Sequence, residues 1–400
     1  MDLHSGLPFW LVKSGLPYNY LPLQQDIKTG VLVLGGGISG ALMARQLNEA
    51  GIDCVVLDAR TIGLGSTVAS TALLQYEIDV SLSELKEKIG IDHAARAYHL
   101  CNDSITTLQK ISRKLSRDNF ETKDSVYFAA AKKDVKFLQQ EFTIRKEQGF
   151  KVTYLDAGEL KDQYGFDAPA AIVSKHGAQV NAYLFTHQLL QNCITRGVKV
   201  YDRTAAVKIN HRANGVEIKT AEGFTVKAKK LVYATGFESV KYIDKKVADL
   251  HCTYAIVSEN MQAETAFWKK EALIWNTADP YLYMRTTADK RIICGGRDEE
   301  FYNPARRDKL LKSKTRQLAN DFSKLFPDIP FKTEFSWTGV FAATKDGLPY
   351  IDTYKKLPNS YFALGFGGNG ITFSQIAAEI ITDMITGKKN KDAAIFSFNR

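Results

Sequence analysis

The feature that most constrains the fold is a glycine-rich turn between two apolar runs, VLVLGGGISGALMARQLNEAGIDCVVLDAR, near the start of the chain. The first apolar run ends at Gly35, and the spacing Gly35-x-Gly37-x-x-Gly40 leads into a segment of helical periodicity. The second apolar run ends at Asp58. A strand, a glycine turn, a helix, a strand and an acid follow in the order of a βαβ dinucleotide-binding unit. This order predicts a parallel, Rossmann-like sheet.

Each residue type in this unit has a physical role in holding a dinucleotide. Gly35 permits a tight exit from the strand, Gly37 lets backbone approach a pyrophosphate, and Gly40 lets the helix pack closely on the strand. The N-terminus of that helix favours the negative charge of phosphate. Asp58 lies eighteen residues after Gly40, where an acid accepts hydrogen bonds from an adenosine ribose. The pattern by itself fits NAD and FAD equally.

A second glycine turn lies more than 300 residues further along the chain, in YFALGFGGNGITFSQIAAEIITDMIT. This segment predicts a strand, a turn and a helix that ends at Gly387. The N-terminus of that helix is a second site that can bind an anion. A flavin needs such a site, because its N1–C2=O edge gains negative charge on reduction and backbone amides stabilise that charge. The second turn therefore favours FAD, and an NAD(P)-dependent dehydrogenase is the disfavoured alternative.

Length and charge restrict the remaining possibilities. Four hundred residues exceed one ordinary core, which predicts two domains. The net charge of +9 is interpreted as a solvated basic surface that serves a phosphate-bearing cofactor, because no nucleic-acid motif accompanies it. No apolar run is long enough to span a bilayer, so at most peripheral membrane contact is expected.

The cysteines and the N-terminus indicate a cytoplasmic protein. The five cysteines are scattered, with neither a CxxC pair nor a disulfide framework. The first residues, MDLHSGLPFWLVKSG, lack the basic start and apolar core of a secretory signal. The seven histidines show no tight ligand pairing, so no metal site is expected.

The sequence resembles the FAD-dependent oxidoreductases of the D-amino-acid oxidase, sarcosine oxidase and glycine oxidase type. The resemblance rests on the first glycine motif with its acid, on GSTVAST, on the strand end VYATG and on DGLPYID…GFGGNGITFS, which occur in the family's order. It implies an α/β (α+β, two-domain) protein in which a Rossmann-like FAD-binding domain is interrupted by a substrate domain with a mixed β-sheet. The implied FAD-binding parts are residues 28–100, 171–240 and 333–400, and the implied substrate parts are 101–170 and 241–332.

The resemblance also implies cofactor residues. Those near the pyrophosphate and the adenosine ribose are Gly35, Gly37, Ile38, Ser39, Gly40, Asp58, Ala59 and Arg60. Those along the ribityl chain and the flavin are Gly65, Ser66, Thr67, Ser70, Thr71 and Ala72. Val207 contacts adenine through its backbone, and Thr235 and Gly236 close a turn beside the cofactor. The flavin pyrimidine edge faces Gly367, Gly368, Asn369, Gly370, Ile371 and Thr372.

The chemistry implied by the resemblance is oxidation of a C–N bond in an amine or amino acid. A hydride passes from the carbon beside a neutral amine to flavin N5, and the imine then hydrolyses. A cation that binds the substrate carboxylate is needed, and Arg285 in YLYMRTT is the candidate. Tyr281 and Tyr283 stand beside it and can cap the bound carboxylate, and Tyr283 is the second candidate site residue. Arg285 could instead be a cross-strand arginine on the surface, and Arg297 is the weaker alternative candidate.

Two departures from the family pattern affect the expected mechanism. WTGVFAATKDGLP contains no cysteine to attach the flavin, and no histidine stands near the exit of the first glycine motif, so non-covalent FAD is predicted. Several relatives carry lysine in the final glycine turn, where this chain has Thr372. An oxidase and a dehydrogenase are therefore equally compatible, with oxygen, a quinone or a protein as the electron acceptor. A non-catalytic protein that kept the FAD fold is the third alternative.

Overall fold

The structure is a computed structural model that describes residues 1–116, 119–261 and 266–400. Two β-sheets with helices on their outer faces make up this part of the chain. The strands are β1 (His4–Gly6), β2 (Ile27–Leu34), β3 (Cys54–Leu57), β4 (Leu73–Leu74), β5 (Phe120–Phe128), β6 (Val152–Asp156), β7 (Ala170–Val180), β8 (Lys199–Tyr201), β9 (Ala206–Arg212), β10 (Gly215–Thr220), β11 (Thr225–Tyr233), β12 (Asp249–Ser258), β13 (Leu273–Asn276), β14 (Tyr283–Thr286), β15 (Ile292–Glu299), β16 (Thr333–Ala343), β17 (Tyr350–Tyr354) and β18 (Leu357–Leu364). The helices are α1 (Phe9–Ser14), α2 (Ile38–Glu49), α3 (Ser66–Ala69), α4 (Leu82–Ile89), α5 (Ile91–Leu115), α6 (Val135–Glu147), α7 (Ala157–Tyr164), α8 (Ala182–Ile194), α9 (Pro304–Leu325) and α10 (Gly370–Thr386).

One sheet contains the βαβ unit that the first glycine motif predicts. Its strand order is β17-β18-β11-β2-β3-β8, and the hairpin of β9 and β10 continues from β11. Strand β2 pairs in parallel with both β3 and β11, and β11 pairs in parallel with β18. Helix α2 crosses over between β2 and β3, as a right-handed βαβ connection requires. The Rossmann-like sheet is confirmed.

Strand β2 is apolar throughout its second half because both faces of the sheet are covered. Val31 and Val33 belong to the buried cluster that includes α2 and α10. Leu32 and Leu34 point to the opposite cluster, with residues of β3, β10 and β11. A strand of a parallel sheet that is buried on both faces reads as a continuous apolar run, which is what VLVL shows.

The second sheet is mixed, as the resemblance implies. Its order is β1-β16-β12-β15-β14-β13-β5-β7-β4, with β6 paired to β7. Strands β13 and β5 are parallel, whereas neighbours such as β12 and β16 are antiparallel. Helix α9 packs on this sheet through Leu318 and Phe322, in a buried cluster with residues of β12 to β15.

Sheet membership differs from the implied domain boundaries at three places. Strand β4 lies in the mixed sheet, although residues 28–100 are assigned to the FAD-binding domain. Strands β7 and β16 also lie in the mixed sheet, although 171–240 and 333–400 are assigned to that domain. Their partners are distant in sequence, so the local letters do not reveal the pairing. The remaining boundaries stay predictions.

Two global features bear on the site. No helix in the described ranges combines the length and the hydropathy needed to cross a bilayer. All five cysteines are unpaired thiols inside the protein, at Cys54, Cys101, Cys193, Cys252 and Cys294.

Candidate cofactor and substrate cavity

A cavity of about 510 Å³ lies between the two sheets. It runs from the turn after β2 to the N-terminus of α10, and the strands β12, β14, β15 and β16 of the mixed sheet contribute to its wall. Most of the implied cofactor residues line it: Gly35, Gly37, Ile38, Ser39, Asp58, Ala59, Arg60, Gly65, Ser66, Thr67, Ser70, Thr71, Ala72, Thr235, Gly236, Gly367, Gly368, Asn369, Gly370, Ile371 and Thr372. The fold therefore brings both glycine turns to one cavity.

The first glycine turn is packed too tightly for side chains. A Cβ on Gly40 would lie 1.8 Å from the carbonyl oxygen of Gly35. Gly40 does not line the cavity, and its role is the close contact of helix and strand that the sequence predicts. A Cβ on Gly37 would lie 2.8 Å from Thr67 Oγ1, which itself accepts a hydrogen bond from the Ile38 amide at 3.0 Å. Helix α3 is thus fixed against the start of α2.

Asp58 lies at the end of β3 with its carboxylate held by backbone. The Gly36 amide donates to Oδ2 at 2.6 Å, and the Arg60 amide donates to Oδ1 at 2.7 Å. Burial raises the pKa of Asp58, although these two amide hydrogen bonds act in the opposite direction. The carboxylate is therefore oriented at the cavity wall before any ligand arrives.

Cationic groups gather at this same end of the cavity, around Glu238. Arg60 donates to Glu238 at 2.8 Å, the amino group of Met1 does so at 2.8 Å, and Lys241 does so at 3.4 Å. Burial alone would raise the pKa of Glu238, but the hydrogen bonds from Arg60 and Met1 outweigh it and lower that pKa to about 2. Glu238 and Lys241 follow the turn at Gly236, and sequence reasoning missed both.

The second glycine turn presents the start of α10 to the cavity. Asn369 is the N-cap residue, yet its side chain does not cap the helix. Its amide donates instead to the carbonyl oxygens of Gln75 at 3.2 Å and Glu77 at 2.7 Å. The Gly368 amide donates to Asp79 Oδ2 at 2.7 Å. Asp79, which sequence reasoning also missed, thus places a carboxylate beside the helix N-terminus.

These residues fit a bound FAD. Gly35 and Gly37 line the cavity with backbone alone, which leaves their surface open to a pyrophosphate, and Asp58 is placed to accept from a ribose. The Ser66 hydroxyl is buried in the wall and has no hydrogen-bond partner among the described residues. A buried hydroxyl without a partner is costly, so this one indicates a polar ligand.

The mixed sheet supplies the wall near α10. Tyr281 and Tyr283 both line the cavity, with ring centroids 5.7 Å apart. The Tyr281 hydroxyl donates to Asp79 Oδ1 at 3.4 Å, and a Cβ on Gly368 would lie 3.0 Å from that hydroxyl. Tyr281 therefore stands next to the second glycine turn, and Tyr283, the predicted site tyrosine, lies beside it at the end of the cavity where substrate is expected.

Asp298 of β15 completes this end of the cavity. Its Oδ1 is buried and has no hydrogen-bond partner within the described ranges. Burial raises the pKa of Asp298 to about 7, and the carboxylates of Asp79 and Asp279 act in the same direction. The hydroxyl of Thr253 and the charge of Lys314 oppose the rise. In the sequence, Asp298 follows the Gly295-Gly296 pair at the end of an apolar run, next to the candidate Arg297. An acid at that position is the signal that could have identified it.

The structure places Arg285 outside the cavity wall. The side chain is 2% exposed, and its Nη1 donates to the carbonyl oxygens of Ala72 at 2.8 Å and Val180 at 3.2 Å. The guanidinium lies 5.1 Å from the ring centroid of Trp10, and burial lowers the pKa of Arg285. Arg285 thus joins the N-terminal segment to the mixed sheet from within, and it is not a surface arginine.

Two other candidates also lie outside the wall. Arg297 forms a two-pronged contact with Asp321, at 2.7 and 2.6 Å. Val207 is 65% exposed, and its neighbour Ala206 lines the cavity instead. The adenine contact predicted for Val207 runs through its backbone, which the exposure of its side chain does not test, so this contact stays a prediction.

A family model described as "FAD dependent oxidoreductase", the DAO family, matches residues 30–384. The chain belongs to this family. The gamma-glutamylputrescine oxidoreductase of Escherichia coli is 24% identical over 382 residues, covering 91% of this chain and 85% of the relative. The glycine oxidase of Geobacillus kaustophilus is 22% identical, covering 92% of this chain and 96% of the relative.

The solved structures agree on the fold. The crystal structure of the Geobacillus kaustophilus glycine oxidase has a TM-score of 0.77 at 19% identity and covers 93% of this chain and 99% of that one. L-proline dehydrogenase from P. horikoshii also has a TM-score of 0.77, at 19% identity, with 94% and 97% covered. The predicted FAD cofactor and flavin-dependent oxidoreductase class are confirmed, and the NAD(P)-dependent alternative is wrong.

Proposed function

We propose that this DAO-family protein oxidises the C–N bond of a small amine or amino acid. The observation that carries the proposal is the single cavity that joins both glycine turns and ends against the tyrosines of the mixed sheet. Curated relatives with amine or amino-acid names, such as D-amino acid dehydrogenase and glycine oxidase, support it. Bound FAD supplies the hydride acceptor, and the imine product hydrolyses in water.

The chain's own residues bind and orient the reactants. Gly37 and the start of α2 hold the pyrophosphate, and Asp58 holds the adenosine ribose. The first amides of α10 stabilise negative charge at the far end of the cofactor. Tyr283 and Tyr281 form the wall against which a substrate lies, and they exclude water from the reacting carbon. We place the protein in the cytoplasm, with oxygen, a quinone or a protein as its electron acceptor.

The test is an anaerobic screen of the yellow holoenzyme. Amines and amino acids are added in turn, and the absorbance of the oxidised flavin band is followed. Bleaching by at least one amine, reversed by oxygen or by a quinone, supports the proposal and identifies the acceptor class. Failure of every amine to bleach a flavin that dithionite reduces readily would show that the protein is not an amine oxidoreductase.

A further inference from the structure

The cavity is electrostatically divided. Its cationic groups are the amino group of Met1, Arg60 and Lys241, and all three contact Glu238. The residues that line the opposite end, in the described part of the chain, include Asp298 and no lysine, arginine or histidine. A substrate carboxylate would therefore find no cation beside the tyrosines.

The two arginines nearest in sequence are already engaged. Nη1 of Arg285 donates to two backbone carbonyls and the guanidinium lies over Trp10, outside the wall, although its buried Nε has no hydrogen-bond partner among the described residues. Arg297 is held by both oxygens of Asp321. To reach a ligand, either arginine would have to break buried or charge-assisted hydrogen bonds. The free energy lost in this way is about as large as the free energy of the new contact with the ligand.

Resting on the proposed function, we propose that Asp298 binds the ammonium group of the substrate, and that the protein selects cationic amines over amino acids held by a carboxylate. The Oδ1 atom of Asp298 is a buried acceptor that has no donor within the described ranges. A buried carboxylate oxygen without a donor is unfavourable, and an alkylammonium brings up to three N–H donors to it; the other partner of this carboxyl group is the Thr253 hydroxyl.

The surroundings of Asp298 favour a cation for two further reasons. Asp79 contributes a second carboxylate, which accepts from Tyr281 at 3.4 Å and from Gly368 at 2.7 Å. An incoming carboxylate would be repelled by Asp298 once it is ionised, and such repulsion discriminates between ligands. Asp79 lies behind the cavity wall, where burial raises its pKa. The rings of Tyr281 and Tyr283 line the same wall, and aromatic faces attract an ammonium ion within about 6 Å.

The binding test uses two probes of equal shape that cannot be oxidised to an imine. These are tert-butylammonium and pivalate, whose central carbon carries no hydrogen, and each is titrated into the oxidised holoenzyme by calorimetry at pH 8. We expect tert-butylammonium to bind at least tenfold more tightly than pivalate. Asp298→Asn should weaken tert-butylammonium binding roughly tenfold or more, because a charge-assisted contact is lost.

The control is Asp328→Asn, which makes the same charge change at an exposed turn residue after α9 and should leave both affinities unchanged. If Asp298→Asn does not retain flavin, the wild-type protein decides the matter by itself. Its affinity for tert-butylammonium should fall as the pH drops from 8 to 6. Pivalate binding as tightly as tert-butylammonium, or an affinity indifferent to both Asp298→Asn and pH, overturns the proposal.

A second arm separates this inference from the proposed function. Butylamine is norvaline without its carboxylate, so anaerobic flavin bleaching by the two compares an amine with the matching amino acid. Faster bleaching by butylamine supports both proposals, and faster bleaching by norvaline overturns the inference alone. If no amine bleaches the flavin, the proposed function fails, while the calorimetric titrations still decide whether Asp298 binds cations.

Discussion

At the scale of single residues, burial decides which charged groups stay available to a ligand. Asp298 is half-buried in the cavity wall, lies near Asp79, and keeps one buried oxygen without a donor among the described residues, so its ionised form is disfavoured. Glu238 has a similar burial problem, but Arg60 and the Met1 amino group neutralise it. Unlike Glu238, Asp298 is therefore a carboxyl group of the cavity wall whose protonation can be changed by a ligand or by pH.

Asp298 should make stability depend on pH. Its pKa is about 7 in the folded protein and 3.8 ordinarily, so the folded state keeps a proton between these values that the unfolded state has lost. Stability should fall as the pH rises through this window, and the penalty is complete above pH 7. Asp298→Asn removes the penalty and should be more stable than wild type at pH 8, by about 1 kcal/mol or more, but not at pH 4. Urea denaturation of both proteins at the two pH values measures this, and a difference that is constant with pH contradicts it.

Arg285 should act on the fold and not on the choice of substrate. Arg285→Lys keeps the charge but cannot maintain both carbonyl contacts and the stacking on Trp10, so thermal stability should fall. Any loss of kcat/KM should be the same factor for butylamine and for norvaline. A selective loss for norvaline would restore Arg285 as the residue that binds a substrate carboxylate.

The sequence indicated some of these residues and not others, for physical reasons. Gly35 and Gly37 were predictable because a turn that admits a pyrophosphate excludes side chains within a few residues. The position of Arg285 was not, because its partner Trp10 is far away in sequence. Asp298 and Asp79 were missed since their environment is made by strands that the sequence does not show to be neighbours.

At the scale of elements, the contact between α2 and β2 depends on the absence of a side chain at Gly40. A Cβ there would be 1.8 Å from a backbone carbonyl, which cannot rotate away as a side chain could. Helix α2 would have to move away from the sheet, and the amides at its start would move with it. The position of α2 is thus coupled to the cofactor site through one backbone contact.

Gly40→Ala should therefore lower both the flavin occupancy and the stability of the protein. Overpacking against rigid backbone destabilises by about 3 kcal/mol, and the displaced helix N-terminus should no longer hold the pyrophosphate. Gly158→Ala in α7 is the matched control, because the added Cβ would meet only Asp156 Oδ1, at 3.4 Å. The ratio of flavin to protein absorbance and the urea midpoint measure both effects. Full flavin occupancy in Gly40→Ala would show that this contact does not position the site.

Helix α6 is joined to α4 by a buried charged group. Glu141 accepts from the amides of Leu82 and Ser83 at the start of α4, at 3.0 and 2.9 Å. Arg145, one turn later on α6, donates to Glu141 at 2.7 Å and to Glu77 at 3.3 Å. Glu77 is also the residue whose carbonyl holds Asn369, so the ion pairs reach the second glycine turn.

Arg145→Met should destabilise the protein strongly. Glu141 and Glu77 would be left buried without a cation, and breaking a buried pair in this way typically costs about 3–5 kcal/mol. Lys136→Met removes a positive charge from an exposed position of the same helix and should change stability little. Urea denaturation compares the two. Equal effects would mean that the buried pair contributes no more than a surface charge.

At the scale of the whole molecule, the sequence predicts the pairing of strands that are close along the chain, but not the pairing of strands that are far apart. The βαβ unit and the β9–β10 hairpin, whose turn is Ala213-Asn214 before Gly215, were predictable, because their strands are joined by short turns or one helix. The placement of β7 and β16 in the mixed sheet was not, since their pairing depends on strands from other parts of the chain. The cavity between the sheets is a product of that distant pairing.

Bound FAD should stabilise the whole folded protein, and it should be released as unmodified FAD when the protein is denatured. The cavity is lined from both sheets, so FAD bound there would contact both of them. A ligand that binds only the folded state adds about 2.7 kcal/mol of stability at a hundredfold excess over its Kd, so Tm should rise with added FAD. Non-covalent attachment is the prediction from the sequence, in which WTGVFAATKDGLP contains no cysteine. Acid precipitation should therefore leave the flavin in the supernatant, and the neutral apoprotein should regain its colour with FAD. Colour that stays with the precipitate would show a covalent bond, and a Tm that is independent of added FAD would place the cofactor outside this cavity.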